Sequence, residues 1–382
     1  MNILFFDMGS YTYNDVNEAF INEGHSVKTI YYHFKDRYND SFFSERFNEE
    51  LHSASYDLVF SINFFPLIAM ECHDSGIPYL SWSYDSPLAE QLSEYFDYDT
   101  NYIFLFDRNE VANYNSAGHS RVFHMPLAVN TKRIAKSLAT IPNNKYKCDI
   151  SFVGTLYESN LETLMYPVDD YVRGYVEALF QAQFNLYGCN ILENSITPDI
   201  IERINNSYKS MGQTSLSLNI RGLAYSIFTQ ITHIERSFLL NELASDYNVH
   251  FYTTDTATMS PALKVHGPVK YNDQMNAVFR DSTLNLCPTL RSITSGIPLR
   301  ALDIMGAGGT LFSNFQPELA EYFTNGEDVI MYESIEDAFA KTEYYLSNPD
   351  LCKKVAASGQ QKVATYFTYS QQIPKILSFV LK

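Results

Sequence analysis

The stretch RSITSGIPLRALDIMGAGGTLFSN, residues 291–314, concentrates groups that can bind an anion. Small and hydroxyl-bearing residues form a loop ahead of a proline, and they are Ser292, Ser295 and Gly296. Pro298 suits the first turn of a helix. Free backbone N–H groups and the helix dipole at such a start attract phosphate. The spacing therefore predicts a phosphate site in front of this helix.

Three charged residues flank the predicted helix start. Arg291 and Arg300 can each donate paired hydrogen bonds to a diphosphate. Asp303 lies about one turn inside the helix, where its carboxylate can accept hydrogen bonds from ribose hydroxyls. An ordinary joint between a helix and a strand, with surface arginines and an ion-paired aspartate, explains the same spacing, and both interpretations stay open.

Two further loops have the composition of nucleotide-binding turns. In VHGPVKYNDQM, Gly267 begins a turn and Tyr271 lies where the chain enters a helix, so the tyrosine can stack on a base or simply pack. In DISFVGTLYES, a strand runs into Gly154 and Thr155, whose small size lets a phosphate or sugar approach the backbone. A plain strand-to-helix turn explains this second loop nearly as well.

The N-terminal half offers residues for the opposite side of a cleft. Gly9 and Ser10 follow the first predicted strand. In YLSWSYDSPL, Asp85 follows the strand that contains Trp82, which makes its carboxylate a candidate general base or acceptor ligand. Capping of the next helix is the alternative role for Asp85. We assign Gly9, Ser10 and Trp82 to this second side of the site.

Short apolar runs alternate with amphipathic stretches along the chain, which predicts parallel sheets covered by helices on both faces. In the first half the predicted strands are 2–7, 26–31, 56–62, 77–82, 102–106 and 121–124. In the second half they are 148–153, 248–252, 283–286, 310–313 and 328–332. Residues 125–147, with two prolines and little strand propensity, predict the connection between the halves.

These patterns predict two doubly wound α/β domains that face a cleft. The first spans residues 1–140, and the second spans 141–368 with a helical insertion at about 158–245. Residues 369–382 are predicted to form a helix that returns to the N-terminal domain. Ligands of such folds bind at the carboxyl ends of the strands, so the predicted site lies in the cleft.

The composition excludes several kinds of partner. Lys and Arg number 27 against 44 Asp and Glu, a formal net charge of −17, which disfavours nucleic acid because its phosphates need a basic surface. No apolar run approaches the roughly 20 residues that span a bilayer. The start MNILFFDMGS has the pattern of a buried strand and not of a signal peptide. A cytoplasmic location without a transmembrane segment is predicted.

Longer blocks of the sequence resemble the CgeB-like (spore maturation protein) family of glycosyltransferases, which has the GT-B fold. In the C-terminal half these blocks are GIPLRALDIMGAGGTLFSN, QPELAEYFTNGEDVIMYES and KTEYYLSNPDLCKKVAASGQQKV. In the N-terminal half YDLVFSINFFP, GIPYLSWSYDSPL, IFLFDRNE and VFHMPLAVN resemble the domain of unknown function that often precedes the catalytic domain. The resemblance covers nearly the whole chain.

The resemblance implies that the C-terminal domain binds a nucleotide diphosphate sugar as donor, without an obligatory metal or other cofactor. A UDP-sugar is the first donor that it suggests. The N-terminal domain would bind the acceptor, a cell-surface glycan or a glycoprotein. In related group 1 glycosyltransferases two glutamates flank the phosphate loop, one at the sugar and one at the ribose. Ser295 and Asp303 match these positions. The uncharged Ser295 leaves the sugar and the retaining or inverting outcome open.

Three other interpretations concern a metal site and two alternative functions. Asp97, Tyr98 and Asp99 match the DxD pattern that holds a cation in another glycosyltransferase fold, but here they precede a strand in a polar stretch, and no metal is predicted. Besides a hexosyltransferase-like enzyme, a sugar-nucleotide epimerase of the same fold stays open. So does a catalytically inactive glycan- or nucleotide-binding protein, because position 295 lacks the glutamate.

Overall fold

A computed structural model describes residues 1–213, 215–256 and 259–381, which form two parallel six-stranded sheets. The strands of the first sheet are β1 (Asn2–Asp7), β2 (Ser26–Tyr31), β3 (Leu58–Ile62), β4 (Tyr79–Trp82), β5 (Asn101–Leu105) and β6 (Val122–His124). The helices around it are α1 (Tyr13–Asn22), α2 (Ser41–Ser53), α3 (Pro66–Ser75) and α4 (Arg108–Ser116), and a 3-10 helix spans Glu90–Tyr95.

The first sheet has the order β2-β1-β3-β4-β5-β6. Its central strands β1 and β3 are apolar and almost fully buried, as expected where helices cover both faces. Phe5 of β1 pairs with Thr29 in β2 and with Phe60 in β3. Because β2 and β3 lie on opposite sides of β1, the connections diverge there and leave a crevice at the carboxyl ends of β1 and β3.

The second sheet repeats this plan in the order β12-β11-β10-β7-β8-β9. Its strands are β7 (Cys148–Val153), β8 (Val249–Tyr252), β9 (Lys264–His266), β10 (Ser282–Cys287), β11 (Leu311–Asn314) and β12 (Ile330–Tyr332). The helices packed around it are α11 (Gln274–Asp281), α12 (Leu299–Gly306), α13 (Pro317–Tyr322), α14 (Ile335–Leu346) and α15 (Pro349–Tyr366). In this order the chain connections reverse direction between β7 and β10, and this position is the topological switch point of the sheet.

Six helices connect these parts of the described chain: α5 (Thr131–Leu138), α6 (Leu161–Met165), α7 (Asp170–Phe184), α8 (Leu192–Ser195), α9 (Pro198–Ser210) and α10 (Ile220–Asp246). Helix α5 lies in the segment expected to be a plain connection, and the Asn130 side chain caps it by accepting a hydrogen bond from Arg133 N at 2.9 Å. Helices α6 to α10 form the helical insertion between β7 and β8. Their shared core includes the buried Val172, Ile204 and Leu223.

The last helix, α16 (Tyr369–Leu377), packs against α1 of the N-terminal half. The hydroxyl groups of Tyr369 and Tyr84 lie 3.1 Å apart, and Val129 N donates a hydrogen bond to Phe367 O at 2.8 Å. Two Rossmann-like domains facing a cleft, with a helical insertion in the second, were predicted, and this architecture is confirmed. Within the described ranges, no helix combines the length and the apolar character needed to cross a membrane.

Candidate active site

A cleft of about 770 Å³ separates the two sheets. Its N-terminal wall comprises the segments that follow β1, β3 and β4, and its C-terminal wall comprises those that follow β7 and β8, the loop before α11 and the start of α12. All of these strands present their carboxyl ends to the cleft. This is where doubly wound folds bind ligands, because the connections diverge there. Predicted site residues lining the cleft are Gly9, Ser10, Asp85, Gly154, Thr155, Tyr271, Arg300 and Asp303.

Asp303 supplies a buried carboxyl group to the C-terminal wall. It lies in α12, only 1% exposed, and its Oδ1 accepts a hydrogen bond from the Tyr271 hydroxyl at 3.0 Å. The Arg300 guanidinium lies 3.8 Å from its Oδ2. Burial raises the pKa of Asp303 to about 6, and the nearby Arg300 charge and the Tyr271 hydrogen bond oppose this rise. The carboxyl therefore titrates near neutral pH.

The ring of Tyr271 contacts the N-terminal half of the chain. The Arg133 guanidinium lies 5.2 Å from the ring centroid, and the Tyr11 ring lies 5.9 Å away. Arg133 in turn binds Asp15 of α1, with 2.8 Å between Nε and Oδ1. Burial, with the Asp303 charge as a smaller cause, raises the pKa of Tyr271 well above its usual value, so the phenol stays a hydrogen-bond donor. Tyr271 thus links the two halves and orients Asp303.

Cationic side chains also line the cleft. Arg300 lies in the first turn of α12, and Lys270 precedes Tyr271 in the loop before α11. Arg37 approaches from the N-terminal side. Both Arg37 and Lys270 are exposed, and neither forms an ion pair with any residue in the described ranges. Neither residue is predicted from the sequence, because an isolated cation in a polar loop carries no local signal of a ligand.

Two glycine turns bring backbone to the cleft on opposite walls. Gly9 has φ +92°, a left-handed conformation that glycine adopts without strain, and Ser10 N donates to Asp7 Oδ1 at 2.9 Å. Facing it, the turn after β7 is held by Arg236 of α10, whose Nη1 donates to Thr155 O at 2.5 Å. The same buried Arg236 donates from Nε to Pro288 O at 3.0 Å, after β10. One arginine thus fixes the ends of both strands at the switch point.

Asp85 lies on the N-terminal wall with an exposed carboxylate. Asn63 Nδ2 donates to its Oδ2 at 2.7 Å, and Asn63 Oδ1 accepts a hydrogen bond from Tyr84 N at 2.8 Å. The 3-10 helix that follows has Ala89, not Asp85, at its N-cap. Trp82 is 0% exposed and does not line the cleft; its Nε1 donates to Met125 O at 3.4 Å. Trp82 therefore belongs to the core, and its predicted place on the acceptor side of the cleft is wrong.

The position of Arg291 also requires a correction. Its side chain is buried, does not line the cleft, and pairs with Glu235 of α10 at 3.2 Å. The guanidinium donates from Nη2 to Leu186 O at 2.7 Å and lies 3.7 Å from the centroid of the Tyr187 ring. These partners belong to the helical insertion, where they lie in α10 and in the loop between α7 and α8. Arg291 therefore joins the insertion to the second sheet and has no diphosphate within reach.

The loop between β10 and α12 contacts the N-terminal half instead of lining the cleft. Asp107, before α4, accepts hydrogen bonds from Thr294 N at 2.7 Å and Ser295 N at 3.1 Å, and Ser295 Oγ lies 2.7 Å from its Oδ1. A Cβ on Gly296 would lie 2.7 Å from Phe106 O, so only glycine fits. The predicted donor-side residues outside the cleft are therefore Gly267, Arg291, Ser292, Ser295 and Gly296. Of these, Ser292 lines a second cavity.

The DxD tripeptide lies among histidines. Asp97 Oδ2 lies 2.9 Å from His119 Nδ1, and Asp99 Oδ1 lies 3.2 Å from His73 Nδ1. Neither aspartate lines the cleft. Both carboxylates are thus paired with imidazoles outside the candidate site.

Residues 236–378 match a family model described as glycosyl transferase-like. Among solved structures, a glycosyltransferase from Rickettsia africae superposes with a TM-score of 0.56 at 10% sequence identity, covering 100% of this chain and 98% of that one. A sucrose-phosphate synthase from Thermosynechococcus elongatus gives 0.53 at 11%, covering 100% and 99%. The HepE protein of Anabaena, crystallised with UDP and glucose, gives 0.50 at 11%, covering 99% and 100%.

No curated protein matches the sequence. The structural similarities span both sheets and establish the GT-B fold. The family match places Lys270, Arg300 and Asp303 in a glycosyl transferase-like region. The cleft between the sheets thus combines a GT-B frame with exposed cations, a buried carboxyl group and two backbone turns.

Proposed function

We propose that this protein is a glycosyltransferase that moves a sugar from a nucleotide diphosphate sugar to a glycan or glycoprotein acceptor. The observation that carries the proposal is the C-terminal wall of the cleft, where Lys270, Arg300 and the Asp303 carboxyl group converge within the region that matches the glycosyl transferase-like family. UDP is the first nucleotide to test, since the HepE structure contains it. A hexose is the first sugar to test.

The donor would lie along this wall. The α12 N-terminus, with Arg300 and Lys270, would neutralise the charge that develops on the departing diphosphate. Asp303, ionised above its pKa, would accept hydrogen bonds from ribose hydroxyls. The turn at Gly154 and Thr155 would let the sugar approach the backbone. Domain closure would exclude water and limit hydrolysis of the donor.

The acceptor would bind on the N-terminal wall. Its hydroxyl oxygen forms the new bond to the anomeric carbon as the bond from that carbon to the diphosphate oxygen breaks. In an inverting reaction the hydroxyl proton passes to Asp85, whose carboxylate Asn63 orients; in a retaining reaction it passes to the departing diphosphate. We further propose that residues 1–140 are the acceptor domain and 141–368 the donor domain of a cytoplasmic, CgeB-like enzyme.

Calorimetric titration with UDP and with UDP-glucose tests the donor assignment. Lys270→Ala and Arg300→Gln should each weaken UDP binding roughly ten- to one-hundredfold, because a hydrogen bond to a charged group contributes about 1.5–3 kcal/mol. Lys209→Ala removes an exposed lysine of α9 outside both cavities and should bind UDP like the parent. If the parent binds neither UDP nor GDP nor a nucleotide sugar, the proposed function fails.

A second function, nucleotide or glycan binding without transfer, is favoured by one observation. Ser295, at the position where related enzymes carry the sugar-contacting glutamate, bonds to Asp107 outside the cleft. Incubation of the protein with UDP-glucose and a glycoside acceptor panel decides between the two. Release of UDP with a glycosylated product supports the transferase, whereas tight donor binding without turnover supports the binding protein. Conversion of the sugar with the nucleotide still attached supports an epimerase.

A further inference from the structure

A second cavity, of about 400 Å³, lies beside the cleft. Three parts of the fold enclose it: the segment after β4 together with α4, the helical insertion at α8 and α10, and the loop between β10 and α12. Its volume falls within the roughly 300–1,000 Å³ of small-molecule sites. Because the insertion supplies one wall, the cavity depends on how the insertion packs against the rest of the chain.

The cavity adjoins the side of the cleft that holds Asp85. Pro87, Leu88 and Ala89 line both cavities, and the Asp85 carboxylate lies on the cleft side of this segment. Tyr225 of α10 lines the second cavity, and burial, with smaller contributions from the charges of Tyr157 and Asp85, raises its pKa. The second cavity therefore adjoins the segment that carries the candidate base.

The walls of the cavity combine aromatic faces with planar polar groups. Tyr225 is 42% exposed and Phe228 lies one turn further along α10. Polar lining residues include Asn113, Asn190 and Glu193. Amides supply donors and acceptors and carboxyl groups supply acceptors, which suits hydroxyl groups because each hydroxyl both donates and accepts. An aromatic face beside such groups fits the apolar face of a sugar ring.

The charge balance of the cavity is acidic. Glu193 and Asp107 line it, against Arg221 as the cation among its described residues. A third carboxyl group, Glu110, also lines it, and burial raises the pKa of Glu110 to about 7. Arg221 lies 5.4 Å from the centroid of the Tyr114 ring. Glu110 binds the segment shared with the cleft, since it accepts hydrogen bonds from Ser86 Oγ at 2.6 Å and Leu88 N at 2.7 Å. An anionic ligand would face unfavourable charge here.

We propose that this cavity is the acceptor subsite and that it binds saccharides without negative charge, with Tyr225 stacking on the sugar ring and Glu193 excluding anionic sugars. The proposal rests on the glycosyltransferase function proposed above and names the class of its acceptor. It also gives the helical insertion a role, since α10 supplies Tyr225 to the subsite and Arg236 to the switch point.

Saturation-transfer NMR and calorimetry, in the presence of UDP, test the subsite with methyl glycosides of glucose, galactose, mannose, glucuronic acid and glucosamine. The neutral glycosides should bind and the glucuronoside should not. Tyr225→Ala should weaken binding of the neutral glycosides roughly two- to tenfold, the range expected for one aromatic contact. Glu193→Gln should let the glucuronoside bind. The UDP affinity of both variants should equal that of the parent.

Tyr171→Ala is the matched control, because Tyr171 is an exposed tyrosine of the same insertion that lines neither cavity. The subsite proposal is overturned if UDP binds but none of the glycosides does, if Tyr225→Ala binds them like the parent, or if the glucuronoside binds best. In these cases the donor assignment stands. Loss of UDP binding by the parent itself contradicts the proposed function, and the two failures are thereby distinguished.

Discussion

Asp303 has opposing roles in folding and in ligand binding. The proposed donor site needs its carboxylate charged, yet burial favours the neutral form and raises its pKa to about 6. Tyr271 and Arg300 compensate for only part of this burial. A charge held at such a cost to stability is common at functional sites, where perturbed pKa values cluster. The structure therefore supports the sequence-based expectation that this carboxylate meets a ligand.

Replacing Asp303 with asparagine should change stability and affinity in opposite directions. The native pKa of about 6 exceeds the ordinary value of 3.8, so the folded wild type loses stability as pH rises from about 4 to above 6. The amide does not titrate and can still accept the Tyr271 hydrogen bond. At pH 7.5, Asp303→Asn should be more stable by roughly 1–3 kcal/mol, since one pKa unit corresponds to about 1.4 kcal/mol.

Urea denaturation at pH 4 and pH 7.5 measures the stability change, and UDP titration at pH 5 and pH 7.5 measures affinity. The variant should bind UDP more weakly at pH 7.5, while the wild type should lose affinity as pH falls through 6 because its carboxylate becomes protonated. If the variant is less stable than the wild type at pH 7.5, the raised pKa is contradicted. If the wild-type affinity for UDP does not depend on pH, the ribose assignment is contradicted.

Arg291 should prove to be a stability residue. Its guanidinium is buried against Glu235, and removing one partner leaves the other charge buried and unpaired. Arg291→Ala should lower the free energy of unfolding by about 3–5 kcal/mol. The double variant Arg291→Met with Glu235→Gln should recover part of this loss. If Arg291→Ala instead leaves the unfolding transition unchanged and weakens UDP binding, the original diphosphate assignment is restored.

The contrast between Arg300 and Arg291 shows what the sequence can and cannot predict about single residues. Arg300 follows directly from the start of α12, so a correct helix boundary places it at the cleft. The orientation of the Arg291 side chain depends on its contacts with Glu235 and Leu186, which are distant from it in the sequence. Only the packing of the insertion decides such contacts. Lys270 and Arg37 were not predicted because an isolated cation in a polar loop carries no local signal of a ligand.

At the scale of elements, the strands that alternate with helices were predictable because buried parallel strands are continuous apolar runs. The exceptions are short or exposed. Strand β9 has three exposed residues and thus no apolar run, and it was missed. Helix α5 was hidden by the prolines and polar residues around it, although Asn130 followed by Ile134 provides a cap and a buried position. The edges of sheets and short connecting helices depend on tertiary contacts.

The loop between β10 and α12 packs so closely on the N-terminal half that Gly296 tolerates no side chain. A Cβ there would lie 2.7 Å from Phe106 O and 2.9 Å from Asp107 Cα, both backbone atoms that cannot yield separately. Gly296→Ala should therefore lower the free energy of unfolding by about 1–3 kcal/mol, the usual cost of overpacking.

Chemical denaturation of matched glycine variants checks this element. Gly174 lies inside α7 with nothing within 4 Å of an added Cβ, so Gly174→Ala should stabilise the protein by roughly 0.5–1 kcal/mol through helix propensity. We therefore expect the free energy of unfolding to fall for Gly296→Ala and to rise for Gly174→Ala. A neutral Gly296→Ala would mean that the loop and α4 separate readily in solution.

At the scale of the molecule, the two halves of the GT-B fold are connected through polar contacts on both sides of the cleft. Arg133 and Asp15 with Tyr271 lie on one side, and Asp107 with Ser295 lies on the other. Helix α16 returns from the second domain to α1, with Tyr369 beside Tyr84. These contacts set the separation of the walls, and so they determine whether a donor on one wall meets an acceptor on the other.

That division of labour predicts separate effects for the two walls. Asp85→Asn keeps an oxygen that can accept the Asn63 hydrogen bond, so the local structure should persist, but it removes the candidate base. Transfer from UDP-glucose to a glycoside should fall by about 10²–10⁴-fold, the usual contribution of a general base, while UDP affinity stays at the parental value. Lys270→Ala, by contrast, should weaken UDP binding, and it should also lower turnover at saturating donor because its charge would stabilise the departing diphosphate.

Initial-rate kinetics with calorimetry on both variants measure the two quantities, and the pH profile supplies an independent criterion. Loss of a base should abolish the fall in kcat at acidic pH, whereas a merely structural effect would lower kcat equally at every pH. If Asp85→Asn transfers sugar at the parental rate, the base lies elsewhere. If it loses UDP binding instead, donor and acceptor are not divided between the walls, because a carboxylate on the N-terminal wall would then be holding the nucleotide.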